Sequence, residues 1–222
     1  AECEFLVARF QDADTRLEAL LTRARSRSER ARVYGLRIRL RLVPGHFGAA
    51  ATAALEALRL FGITFPDADA QALVQQERQE VERELAGRGI DALLNAPPLQ
   101  DPETRTVLGL IVDSFTGIYI ARPDVFPLLV LRATRLVLRH GNCEESAVVY
   151  TYYARVLLAA FGDIAAAYEY SELAVRLNER LDDRKRRGML LFSHAGFIHF
   201  WRRPFASGRP ILDRGFAACL EV

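Results

Sequence analysis

Apolar residues recur at three- and four-residue spacing through long stretches of this chain, and clusters of Gly or Pro interrupt them about every fifteen to twenty residues. Such a rhythm gives each segment a helical stripe and leaves no period-two alternation for strands, so the expected class is all-α. Breaks are expected at Pro44-Gly45, Gly62 to Pro66, Gly87 to Gly89, Ala96 to Pro102, Arg122-Pro123, His140-Gly141-Asn142, Phe161-Gly162-Asp163, Leu181-Asp182-Asp183 and Arg203-Pro204, which leave about ten antiparallel helices. Two ends have a clear local cause. Asp101-Pro102-Glu103 supplies a capping carboxylate, a proline at the first helical position and an acid in the first turn, so a helix starts there. Arg139-His140-Gly141-Asn142 supplies cations in a last turn and a glycine for a left-handed cap, so a helix stops there.

Between Arg30 and Val43, helical geometry places Val33, Leu36, Leu40 and Val43 on one side and Tyr34, Ile38 and Leu42 on another, with arginines between. A helix with two apolar faces suits a stack of hairpins, where it meets its own partner on one side and the next repeat on the other. A degenerate repeat follows the turns. Phe10, Phe47, Ile164 and Phe205 are each followed by small or apolar residues three, seven and ten positions later: Ala13, Leu17, Leu20; Ala50, Ala54, Ala57; Ala167, Ser171, Ala174; and Gly208, Leu212, Gly215. This pattern resembles the second helix of the tetratricopeptide repeat, and Phe192, Ala195, Gly196 and His199 match its first helix in the last copy. The resemblance implies a tetratricopeptide-like α-α superhelix with long, degenerate repeats. It implies burial of Phe47, Ala50, Ala54, Ile164, Ala167 and Ala174 between paired helices. The stretch 67–142 reads as helical pairs without the motif.

A wider resemblance runs through Ala31 to Pro66, Gly87 to Glu103 with Ile90-Asp91-Ala92-Leu93-Leu94 and Pro97-Pro98-Leu99-Gln100-Asp101-Pro102-Glu103, then Leu138 to Asn142, and His199-Phe200-Trp201-Arg202-Arg203-Pro204. That order is similar to the helical region following the AAA-type ATPase module of very large bacterial signalling proteins. In that family a serine/threonine-kinase-like domain comes first, and a GAF sensor and a histidine kinase come last. The resemblance implies that residues 1–222 form a single helical-repeat domain of a multidomain kinase and ATPase. The chain opens on Ala1, holds one methionine, Met189, and stops inside an apolar-periodic segment, so it reads as an excised piece of that larger protein.

Composition narrows the function classes. The sole lysine, Lys185, lies in Asp183-Arg184-Lys185-Arg186, so no GxxxxGK[ST] phosphate loop exists. Gly87-Arg88-Gly89-Ile90-Asp91-Ala92 spells GxGxxA but follows a charged helical segment instead of a strand, and reads as a helix-terminating loop. Cys3, Cys143 and Cys219 are widely spaced and form no CxxC pair, which fits a reducing cytoplasm and no metal knuckle. His140 reads as a cap, and Cys143 lacks a nearby base. His194 and His199 are five apart, about 140° around an α-helix, so they are expected to point in different directions. Eight arginines stand against one acid, Glu29, from Arg23 to Arg41, while Asp67 to Asp91 holds seven acids and three arginines. With a net charge of only +2, this polarity argues against nucleic acid and for salt bridges or an anionic protein partner. No apolar run approaches the roughly 18 residues of a membrane span.

The expected function is therefore a non-catalytic protein-interaction and interdomain coupling module with no cofactor and no bound metal. Its partners would be neighbouring domains of the same polypeptide or another protein, and its exposed terminal repeats would allow self-association. By the tetratricopeptide resemblance, the groove would be lined by Arg32, Arg39, Tyr152, Phe197 and Phe200, with Trp201 beside them. Two alternatives stand: a small helical enzyme using His194 and His199 with a carboxylate, and a passive structural spacer.

Overall fold

The computed structural model describes residues 2–7, 9–65 and 70–222. Pro66, the end of one expected break, and Asp67, the start of the motif-free stretch, lie outside these. The described residues form twelve α-helices: α1 (Glu2–Leu6), α2 (Phe10–Arg23), α3 (Arg27–Leu42), α4 (Phe47–Arg59), α5 (Ala70–Leu85), α6 (Ile90–Leu94), α7 (Pro102–Ala121), α8 (Phe126–His140), α9 (Glu144–Phe161), α10 (Ile164–Leu181), α11 (Arg184–Ser193) and α12 (Arg209–Leu220). A π turn over His194–Ile198 and 3-10 turns over His199–Trp201 and Phe205–Gly208 join the last two. The described residues contain no strand, and one isolated parallel bridge pairs Pro98 with Asn142. No described helix is long and apolar enough to cross a membrane.

The count exceeds ten because two breaks carry neither Gly nor Pro. One separates α1 from α2. The other is set by Ser26, whose Oγ accepts from the Glu29 amide at 3.1 Å while the Glu29 carboxylate accepts from the Ser26 amide at 3.2 Å. This reciprocal box satisfies two N–H groups that the first turn of α3 would leave open. The expected start at Asp101 holds, with its carboxylate accepting from the amides of Glu103 and Thr104.

The chain divides into two compact units, one of residues 1–70 with 101–126 and one of 71–100 with 127–222. In the first, α3 and α4 form an antiparallel hairpin, with Tyr34 facing Glu56 and Arg41 reaching the Ala49 carbonyl. Helix α4 buries Ala50, Ala51, Ala53, Ala54 and Ala57, a face small enough for α7 to press Gly117 against Ala50. Helix α7 runs in the same direction as α3, since Gly35 lies against Asp113 and Leu42 against Gly117. Ile38, Leu58, Leu108, Ile111, Phe115 and Ile118 are fully buried in this unit.

In the second unit α5 and α8 run side by side in one direction, because their ion pairs advance together: Glu77 with Arg132 and Arg135, Glu80 with Arg135, Glu84 with Arg139. Helices α9 and α10 form the longest hairpin, turning at Gly162 and packing Tyr150 and Tyr153 against Tyr170. After α8 the chain makes a clasp. Asn142 N–H donates to the Pro97 carbonyl at 2.8 Å, and Leu99 N–H donates to the Asn142 carbonyl at 2.8 Å. Gly141, at φ +97°, approaches so closely that a Cβ there would collide with the Pro97 carbonyl.

Of the positions expected to be buried, Ala50, Ala54, Ala167 and Ala174 are, and the further repeat positions Ala57 and Ser171 are buried with them. The anchors differ. Phe47 is only half-buried, and Ile164 is exposed. Each is the first residue of its helix, beside the turn, and the seam between helices closes only from the next turn onward.

Candidate functional site

Arg32 and Arg39 lie on one edge of α3 in the first unit, where they line a cleft of about 250 Å³ with Gly35, Thr106, Gly109 and Asp113. The missing side chain at Gly35 lets α7 come close, and Asp113 then accepts from Arg39 at 2.5 Å. Arg32 is exposed and forms no ion pair among the described residues. Neighbouring arginines are engaged: Arg37 with Asp14 and Glu18, Arg41 with Asp14.

The expected aromatics fall in the second unit, in two groups. Arg155 of α9 lays its guanidinium over Phe197 at 4.3 Å and over Tyr152 at 5.2 Å from the ring centroids. Phe200 packs beside Trp201 at 5.7 Å and beside Phe205 at 6.1 Å. Trp201 is 52% and Phe205 82% exposed, which is unusual for side chains this large. Phe205 and Phe192 belong to this surface but were not foreseen in it. The repeat pattern marked both as packing positions, and that pattern cannot say which side of a helix lacks a neighbour.

His194 and His199 are brought together, contrary to expectation. From His194 to Ile198 the backbone winds as a π turn, closed by the His199 N–H donating to the His194 carbonyl. A π turn brings residues five apart onto one face, so the 140° α-helical offset does not apply. The rings stand edge to face with centroids 5.4 Å apart, and both side chains pack near Tyr168. Both histidines are buried. His194 Nδ1 shares a hydrogen bond of 2.9 Å with Ser171 Oγ. Burial, with His199 as the next contributor, pushes the His194 imidazole from its usual 6.5 down to about 4.

The hydroxyl of Ser207 fixes the other tautomer. It donates its only hydrogen to the Pro204 carbonyl at 2.6 Å, so in its 2.8 Å bond with His199 it accepts from Nε2–H. A serine nucleophile requires the opposite polarity, with the imidazole nitrogen receiving the hydroxyl proton. The remaining nitrogen, His199 Nδ1, is buried without a hydrogen-bond partner. Arg202 and Arg203 lie over Tyr168, and the Glu172 carboxylate acts on His194 only as the smallest of its influences, after burial and His199.

Other candidates resolve into structure. Cys143 caps α9, its backbone N–H donating to Ser146 Oγ, and burial pushes its thiol up. His140 is the last residue of α8, as its capping role requires. Gly87 to Gly89 join α5 to α6, whose first residues are Ile90, Asp91 and Ala92, and a helix precedes them in place of a strand. Arg186 ties the charged corner to α9, donating to Glu145 at 2.7 Å and to Asp183 at 2.8 Å. Among the described residues no group of three or more His, Cys, Asp or Glu side chains could hold a metal ion.

Comparison of the chain with protein-family models, with curated proteins and with solved structures finds no match.

Proposed function

We propose that this chain is a non-catalytic interaction and coupling module, a tetratricopeptide-like array that binds neighbouring domains of its own polypeptide in a cytoplasmic bacterial signalling protein of the ATPase and histidine-kinase type. The observation that carries this reading is the exposed aromatic group Phe197, Phe200, Trp201 and Phe205. Phe197 is held by Arg155 and Phe192, and Phe200, Trp201 and Phe205 by one another, so they are presented at little further conformational cost. Aromatic and arginine side chains of this kind dominate binding energy where they become buried. The arrangement of helices also supports a repeat-like stack. The sequential pairs α3–α4, α9–α10 and α11–α12 are antiparallel hairpins, as the members of such a stack would be. The cleft with Arg32 and Arg39 supplies a second, basic contact for an acidic segment.

The test is calorimetric titration of the chain with purified flanking segments of its polypeptide. At least one should bind, and Phe200→Ala/Trp201→Ala should weaken it at least tenfold, whereas Arg32→Ala/Arg39→Ala should lower its salt dependence. Failure of every flanking segment to bind would overturn the reading.

A further inference from the structure

From Gly188 to Leu212 the chain holds three arginines, Arg202, Arg203 and Arg209, and no acid. Two of them are gathered at one point. The amides of Arg202 and Arg203 both donate to the His199 carbonyl, at 3.1 Å and 3.0 Å, so the turn that follows the π segment starts both side chains from one place. Their guanidinium carbons lie 5.4 Å and 5.8 Å from the centroid of the same ring, that of the buried Tyr168, and Arg203 Nε donates to its hydroxyl at 3.4 Å. The attraction of a ring face for cations holds together two like charges that would otherwise separate.

Neither arginine forms an ion pair among the described residues, and both are exposed. Elsewhere in the chain Arg37, Arg41, Arg135 and Arg186 each engage one or more carboxylates. At this turn the Tyr168 hydroxyl is what chiefly raises the Arg203 guanidinium above its usual value, and the Glu172 carboxylate of α10 contributes least. Trp201 and Phe205 stand on either side of the arginines in the chain, and both rings pack against Phe200. Two unpaired cations are thus set beside exposed aromatic rings.

We propose that Arg202 and Arg203 form a recognition site for a carboxylate side chain of an acidic peptide segment, with Phe200, Trp201 and Phe205 taking the apolar residues beside it. A guanidinium offers parallel N–H donors that match the two oxygens of a carboxylate, and such charge-assisted bonds are about twice as strong as neutral ones. A peptide fits better than an anionic bilayer, which would spread over the exposed Glu172 as well. The inference rests on the aromatic surface being the contact of the coupling module, and it adds the chemistry of the segment received there.

Trp201 is the sole tryptophan, so its fluorescence reports on the site directly. The whole chain is titrated with a short synthetic peptide repeating Glu, Leu and Ser, with its counterpart carrying Gln for Glu, with inorganic phosphate, and with phosphatidylcholine vesicles containing or lacking phosphatidylserine. The expected result is a saturable change in Trp201 emission with the acidic peptide, weakened by salt and at least tenfold weaker with the Gln peptide. Arg202→Gln/Arg203→Gln should lower the affinity at least tenfold with helicity unchanged, and Arg202→Lys/Arg203→Lys should recover only part of it. No response to the acidic peptide, equal binding of the two peptides, indifference to Arg202→Gln/Arg203→Gln, phosphate binding as tight as the acidic peptide, or a response confined to phosphatidylserine vesicles would each overturn the proposal. Flanking segments that bind the wild type and Arg202→Gln/Arg203→Gln equally would remove this site and leave the coupling module standing. An acidic peptide that binds where no flanking segment does would keep the site and remove the coupling.

Discussion

The imidazole of His194 meets that of His199 edge to face, with centroids 5.4 Å apart, and each ring is tied by a serine hydroxyl to a different segment. Ser171 belongs to α10, and Ser207 to the turn that precedes α12. The pair therefore pins the irregular connection between α11 and α12 to the helix beneath it. A charge on His194 would be buried beside another imidazole, and the Glu172 carboxylate offsets that cost only in part.

Acid should accordingly loosen this end of the second unit. The folded state holds His194 at about 4 against an ordinary 6.5, so the fold favours the neutral form. Its contribution is complete above pH 6.5 and is lost as pH falls toward 4, about 2 kcal/mol having gone by pH 5. Urea denaturation at pH 7 and pH 5 should show that difference in the wild type. His194→Gln, which cannot take up a proton, should show a much smaller one.

Asn142 is almost fully buried, and its amide donates to the Leu93 carbonyl at 2.7 Å. Asn142→Ala should cost about 1 to 2 kcal/mol, and Asn142→Asp more, because a carboxylate cannot donate and would face a carbonyl. Gly141→Ala should be worse than Asn142→Ala, since it combines a positive φ with a collision against Pro97. Denaturant midpoints would rank the three.

Glu77 is nine-tenths buried and bridges Arg132 and Arg135, at 2.8 Å to each. Removing it takes from Arg132 and Arg135 the carboxylate they share, although Arg135 keeps Glu80. Glu77→Ala is expected to destabilise the chain by about 2 kcal/mol, and Glu77→Gln by roughly half of that because the amide oxygen can still accept. Thermal melts at low and high salt would check both values.

Asp113 engages Arg39 at the cleft of the first unit, where the arginine is half-exposed. Exposed pairs of this type contribute less than about 1 kcal/mol, so Asp113→Asn should hardly alter stability. It should strengthen binding of an acidic flanking segment by freeing a second guanidinium beside Arg32. Parallel calorimetry and melting of the variant would separate the two effects.

Much of the helical framework was legible because its causes are local. Asp101-Pro102-Glu103 and the glycines at 141 and 162 act within a turn of where they stand, and the helices start and stop there. The box formed by Ser26 and Glu29 is just as local, but no Gly or Pro accompanies it, so a search for those residues passes over it. The π turn is different in kind. Its period is set by how Ser171, Tyr168 and Ser207 surround two histidines, and those neighbours come from 23 residues before and 8 after the histidines they bond. The exposure of Phe205, Phe192 and Phe216 was hidden for a similar reason: a helical pattern names the apolar side chains but not which of them lack a neighbour.

The alternation of the chain between its two units bears on how it can be made. Neither unit is a contiguous stretch, for the first needs residues 101–126 and the second needs 71–100. On the ribosome α5 and α6 therefore emerge well before α8, the helix whose arginines pair with Glu77, Glu80 and Glu84, and they must wait as an acidic segment only partly offset by Arg78 and Arg83 of α5 itself while α7 is synthesised. Mutual repulsion among those carboxylates would discourage a premature collapse of α5 onto itself or onto other nascent chains until the arginines of α8 follow.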